Sequence, residues 1–344
     1  MREAGAALRG ANVGAIYLVH GTFVGHDALG MLTELGRAFP SASNLMRSMT
    51  RQIIDQVIDD TGNYTSRFAE EFEEGINLPG KSRIPVRLFE WSSENNHIGR
   101  ADGAVRLIQE LADSDLPEGQ RILLWGHSHA GNVFALVSQL LGADAKAIDQ
   151  FFEAAAVYYR WPLVGCTDIP VWSMVCDLLK HDHHPLTHRP LDFITFGTPI
   201  RYGWNSHGYA RLLHFVFHVP AEGLPEYQAP FPPQVDRVLR GADGDYVQQL
   251  GIAGTNLGPS IFSWRAWWAE NRLGRLLQGE LSNTSVLDRF RAGARVSDSG
   301  TTLLVNYGIP SGSIAQHLAG HAIYTRREWL LFHVEEVARR LYEA

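Results

Sequence analysis

The chain has 344 residues, 45% of them hydrophobic and 19% charged, with a formal net charge of −7. That balance supports a sizeable core and excludes a disordered chain. The acidic excess, with no long basic run, excludes the electrostatic footprint of a nucleic-acid-binding protein.

The chain opens on MREAGAALRGANVGAIYLVHGT, which lacks a charged-then-apolar leader with a cleavage site. No apolar run approaches the ~18 residues of a membrane helix, so a soluble, cytoplasmic protein is expected. The first strand is VGAIYLVH (13–20), followed by helix patterns over 27–38 and 45–74. Next come strand IPVRLFEW (84–91), a helix over 101–113, strand RILLWG (121–126) and a helix over 130–141. Strands LDFITFG (191–197), RLLHFVFH (211–218) and TTLLVNYG (301–308) follow, and a helix over 326–342 ends the chain. These strands are apolar nearly throughout, as strands covered on both faces are. Their alternation with helices predicts an α/β fold, a mostly parallel sheet with helices on both faces. Ligands of such sheets bind at the carboxyl ends of the strands.

Two stretches break the rhythm, 147–190 and 221–300, and their length marks them as cap or lid insertions on a single domain spanning 1–344. Their aromatic residues (Phe151, Phe152, Tyr158, Tyr159, Trp161, Trp172, then Trp264, Trp267 and Trp268) fit an apolar acyl pocket and cap packing equally well. Cys166 and Cys176 are too few for a disulfide framework, and apolar neighbours mark both as buried free thiols.

The chemistry centres on RILLWGHSHAGNVFALVSQLLG (121–142). A serine hydroxyl is a poor nucleophile at neutral pH and needs an adjacent base. A sharp strand-to-helix turn lifts the Ser128 hydroxyl clear and puts the His129 amide at a helix N-terminus, where it can donate to an oxyanion. Small residues must surround such a turn, and Gly126, Ala130 and Gly131 do. Adjacent side chains at an elbow point away from the nucleophile, so His127 and His129 pack or line the pocket. LVHGTF (18–23) follows another strand, and the Thr22 or Phe23 amide can supply the second oxyanion donor. The base must come from beyond the last strand: His321 lies in a Gly-flanked loop, whereas His333 lies within the helical pattern and is structural.

These features together resemble the α/β-hydrolase superfamily: Gly-His-Ser-His-Ala-Gly between strand and helix, an early His-Gly-Thr and a late Gly-His. TFGTPIRYGW (195–204) is similar to the strand end of class 3 type lipases. The resemblance implies a Ser-His-acid triad hydrolysing an ester or related acyl bond, with no cofactor and a small ester or lipid-like substrate. Ser128 is then the nucleophile and His321 the base. The acid departs from the family pattern, since RLLHFVFH is followed by VPAEGLPEYQ, with Glu222 but no aspartate. GADGDYVQQ (241–249) offers Asp243 and Asp245, and Gly-Asp-Tyr-Val resembles the acid-bearing turn of some lipase-like and cutinase-like hydrolases. Asp245 leads, with Asp243 and Glu222 as alternatives and Asp298 behind them. A thioesterase, amidase or acyltransferase would use the same triad, and a non-catalytic relative would bind a ligand through its cap.

HDHHPLTHRP (181–190) has metal-ligand residue types without a metal-ligand spacing and reads as a surface loop, so no metal is assigned. Arg100 and Asp102, after the second strand, fit loop or helix-start hydrogen bonding and a cleft wall alike.

Overall fold

The computed structural model describes residues 1–21, 63–161, 166–181, 183–252, 256, 258–259, 263–277, 291, 293–312 and 317–343. The strands are β1 (Val13–Val19), β2 (Val86–Phe89), β3 (Arg121–His127), β4 (Leu191–Phe196), β5 (Arg211–Phe217) and β6 (Thr301–Val305). They form one six-stranded sheet in the order β2-β1-β3-β4-β5-β6, and every pairing is parallel. All six expected strands are present. The edge strands β2 and β6 end short of the apolar runs that announced them and are partly exposed, because only one side of each carries a neighbour.

Alternation along the strands divides the core in two. Ala15, Tyr17 and Val19 of β1, with Ile122 and Leu124 of β3, face one side; Ile16 and Leu18, with Leu123 and Trp125, face the other. On the first side lie α3 (His97–Ala112), α4 (Ala130–Leu141), α5 (Ala145–Tyr159), α6 (Pro170–Leu179) and α9 (Trp264–Leu277). On the second lie α1 (Arg2–Gly10), α2 (Ser66–Ile76) and α10 (Leu330–Leu341). Two short helices, α7 (Val235–Arg240) and α8 (Tyr246–Ile252), flank the turn that carries Asp245. No helix among the described residues is long and apolar enough to cross a membrane.

Several expectations are adjusted. The helix expected over 45–74 begins, within the described residues, only at Ser66, because the Thr65 hydroxyl accepts from the Phe68 amide at 3.1 Å and caps it. The helix expected over 27–38, and 45–62 of the second, lie outside the described residues. α1 was not expected; its short stripe of Ala4, Gly5 and Leu8 packs Gly5 against the Ile76 backbone. Cys166 is exposed rather than buried, on the surface return between α5 and α6, while Cys176 is buried in α6.

The first insertion is woven into the core. Trp172 is fully buried among Phe151, Phe152, Tyr158 and Tyr159, all with ring centroids within 6.0 Å of its own. Its indole N–H donates to Asp102 at 2.8 Å, which together with the Arg106–Asp102 ion pair at 2.6 Å accounts for that carboxylate. α9, from the second insertion, lies across α5 and α3 and buries Ala266, Ala269 and Leu273. Trp161 and Trp264, Trp267 and Trp268 are exposed. The buried aromatic residues of the first insertion thus serve packing.

Candidate active site

The strand order turns back on itself between β1 and β3, and the crevice of an open parallel sheet lies at that reversal. His20-Gly21 leaves the carboxyl end of β1 there, and Ser128 leaves β3 beside it. Ser128 has φ +56°, the left-handed region that a strand-to-helix elbow imposes, and it is only 6% exposed. Its amide donates to the Phe196 carbonyl at 2.8 Å and its carbonyl accepts from the Thr198 hydroxyl at 2.7 Å, so β4 fixes the turn. A Cβ on Gly21 would stand 2.7 Å from the Ser128 Cβ, which is why no larger residue fits. The Gly21 carbonyl is held by the Ser93 hydroxyl at 2.8 Å, and the His20 carbonyl by the Trp91 indole at 2.9 Å.

The His321 ring joins the elbow from the loop after β6. Its Nε2 lies 2.9 Å from Ser128 Oγ, and its Nδ1 lies 2.7 Å from Asp245 Oδ2. A carboxylate only accepts, so the ring proton sits on Nδ1 and Nε2 is left to accept from the serine hydroxyl. The left-handed Leu318, Ala319 and Gly320 make the tight turn that delivers this ring.

Asp245 reaches the site by a detour. The chain leaves β5 at Phe217, runs out through α7 and returns so that the Asp245 amide donates to the Phe217 carbonyl at 2.9 Å. The acid therefore stands at the carboxyl end of β5 although it is remote from it in sequence. Gly244 permits the return: its φ is +100°, and a Cβ there would lie 2.4 Å from the Phe217 carbonyl oxygen. Asp245 is fully buried and accepts from the Gln248 amide at 2.9 Å and the Tyr324 hydroxyl at 3.0 Å. Burial pushes its carboxyl up, but the His321 ring, the Gln248 amide and the Arg295 cation outweigh burial and hold it below the usual value. Burial pushes the Tyr324 phenol well up, so it remains a donor.

The other carboxylates are elsewhere. Asp243 is paired with Arg237, whose Nε lies 3.0 Å from both its oxygens, and Glu222 and Asp298 are exposed. His129 is the N-cap of α4 and its amide donates to no group among the described residues, which leaves it free at the elbow. Thr22 and Phe23, the expected second donors, lie outside the described residues. The His129 ring is buried, and burial first, then the charges of Arg100 and Arg201, push it well below its usual value. It is neutral and its Nδ1 accepts from Asn132 at 3.1 Å. His127 packs against the His321 ring, with ring centroids 4.7 Å apart and Nε2 donating to the His321 carbonyl at 2.9 Å.

His127 packs at the site as expected of a side chain beside the elbow, but three further residues that hold the site had no signal in the sequence. Tyr324, Gln248 and Arg295 carry no motif that marks them, and only the assembled fold shows what they touch. The Arg295 guanidinium is fully buried, donates to the Phe217 carbonyl at 3.0 Å and stacks 4.5 Å from the Tyr246 ring centroid, behind the acid. The histidine-rich loop precedes β4 and so lies at the amino end of the sheet, away from Ser128. Among the described residues no group of three or more His, Cys, Asp or Glu side chains is placed to hold a metal ion.

Comparisons with protein-family models, curated proteins and solved structures give no match to this chain. What the site can do is therefore read from its own geometry.

Proposed function

We propose that the protein is a serine hydrolase of the α/β-hydrolase kind, one domain with cap-forming insertions, that cleaves carboxylic esters. The observation that carries this reading is the unbroken line of hydrogen bonds from Asp245 through His321 to Ser128, drawn from segments that follow three different strands. The left-handed elbow and the chain order Ser–acid–His also agree with that fold.

In this mechanism Ser128 Oγ attacks the ester carbonyl carbon as its proton passes to His321 Nε2. Asp245 holds the ring in the required tautomer and stabilises the imidazolium without taking the proton itself. The carbonyl oxygen gains negative charge and is met by the His129 amide, which is free at the elbow. Collapse breaks the bond to the alcohol, which leaves with the proton from His321. Water activated by His321 then releases the carboxylic acid and restores Ser128. The reaction draws on no cofactor.

Kinetics on aryl esters of graded acyl length test this reading. Ser128→Ala and His321→Ala are each expected to lower kcat by about 10⁴-fold or more. Thioester and amide substrates in the same assay decide whether a thioesterase or amidase uses the triad. If Ser128→Ala hydrolyses every ester as fast as the wild-type chain, the serine mechanism is wrong.

A further inference from the structure

Beside the elbow, the structure keeps two positive charges without an ion pair among the described residues. Arg100, on α3, is fully buried, and its three donor contacts all go to neutral oxygens: the Tyr202 hydroxyl at 2.9 Å, Asn95 Oδ1 at 2.8 Å and Asn256 Oδ1. The Tyr202 hydroxyl also lies 2.7 Å from His97 Nδ1, and Asn256 links Arg100 to the Glu270 carboxylate, so the guanidinium meets a negative charge only through a neutral amide. Arg201, on the loop after β4, is half-buried, and its guanidinium has no hydrogen-bond or ion-pair partner among the described residues. The carboxylate whose charge reaches it is that of Glu270, and both Glu270 oxygens are already taken, by the Ile98 amide at 2.8 Å and the Asn256 side chain at 2.6 Å.

The loop that carries Arg201 is tied to the nucleophile elbow by one side chain. Asn132, in the first turn of α4, donates to the Pro199 carbonyl at 2.8 Å and to His129 Nδ1 at 3.1 Å, and accepts from the Arg201 amide at 3.2 Å. Both arginine charges reach the His129 ring, next in sequence to Ser128. None of the Arg201 side-chain nitrogens is a buried atom left without a partner, so its donors face solvent, from which an anion can reach them. Arg100 has its donors satisfied and adds only charge; Arg201 has donors to offer. A planar guanidinium is suited to two oxygens of one anion.

We propose that the ester this site cleaves carries an anionic oxygen group, a carboxylate or a phosphate, held by the Arg201 guanidinium beside the elbow with the Arg100 charge behind it. This rests on the reading of Ser128 as the nucleophile and names the class of its substrate. The anion would replace water on Arg201 and neutralise a charge that Glu270 meets only at a distance.

The test compares aryl esters of one acyl length that end in methyl, carboxylate, phosphonate or trimethylammonium. At low salt the wild-type chain is expected to favour an anionic ester over the methyl ester by about tenfold or more in kcat/KM, with the cationic ester slowest. Whichever of the carboxylate and phosphonate is faster identifies the anion. Arg201→Gln is expected to bring the anionic-to-neutral ratio close to one, and Arg201→Lys to keep part of it. Because it removes an unpaired charge, Arg201→Gln is also expected to melt no lower than the wild-type chain, which separates lost recognition from lost folding. A flat wild-type ratio, or an Arg201→Gln ratio equal to that of the wild type, overturns the proposal while leaving Ser128 as nucleophile. If no ester is turned over and Ser128 takes no acylating label, the serine reading itself has failed.

Discussion

Ser128 sits at φ +56°, a conformation that costs an L-residue about 1–2 kcal/mol, and its neighbours are small enough to let it stay there. Gly197 does the same for the acid. Its φ is +58°, and a Cβ at that position would lie 2.5 Å from Tyr324 Cε2 and 2.7 Å from Asp245 Oδ2. Gly197→Ala must therefore push Asp245 or Tyr324 aside, and a displacement of about 1 Å in a catalytic group can lower a rate about 100-fold. Steady-state kinetics on an aryl ester are expected to show a kcat loss of about 10- to 100-fold, while the folded chain survives; an alanine variant with wild-type kcat would contradict the placement of the acid. At this scale the sequence was legible where a residue type is rare in its role. A serine within Gly-x-Ser-x-Ala after an apolar strand, a late Gly-His and a Gly-Asp turn all point to the residues that meet in the structure. His127 was legible as a packing residue but its partner His321 was not, and Tyr324 was not legible at all, because a buried tyrosine carries no mark of the neighbour it will support.

Elements were legible in proportion to their burial. β1, β3, β4 and β5 are covered on both faces, so their sequences are continuous apolar runs and their limits fall within a residue or two of those expected. α4 follows the elbow with the limits expected of it, since its first turn is part of the same tight turn that carries Ser128. The shorter elements answer to contacts distant in sequence. α2 starts where Thr65 caps it, and β2 starts only after Ile84, whose amide and carbonyl are both held by the Asn77 side chain. The acid turn is the clearest case. The residues directly after RLLHFVFH contain no aspartate, because the chain makes its excursion through α7 before Gly244 brings Asp245 back against Phe217. Adjacency of that kind is a property of folded backbone, which the linear pattern does not record.

The whole molecule buries several histidines in the neutral state, and this sets how it responds to acid. Burial lowers His333 from 6.5 to about 3, with its Nε2 accepting from the Tyr307 hydroxyl at 2.7 Å, and lowers His214 to about 4. For each, the unfolded chain binds a proton at higher pH than the folded one does. Stability is therefore full above pH 6.5 and declines as pH falls from 6.5 towards the folded values, by about 1.4 kcal/mol per pH unit for each histidine. Asp245, whose folded value is lowered, adds a contribution that is present above the ordinary aspartate value of 3.8 and lost as pH falls through the folded one. Denaturant unfolding followed between pH 8 and pH 4 is expected to show a plateau above about pH 7 and a steep fall below it, reduced in His333→Gln. A level stability from pH 7 to pH 4.5 would contradict the burial of neutral histidines. The alignment of Ser128, His321 and Asp245 makes the serine reactive, and a fluorophosphonate probe read by intact mass and peptide mapping reports that reactivity. The expected result is one adduct per folded chain, on Ser128, absent from Ser128→Ala and much slowed in His321→Ala. No adduct on the folded chain, or an adduct on another residue, would contradict it.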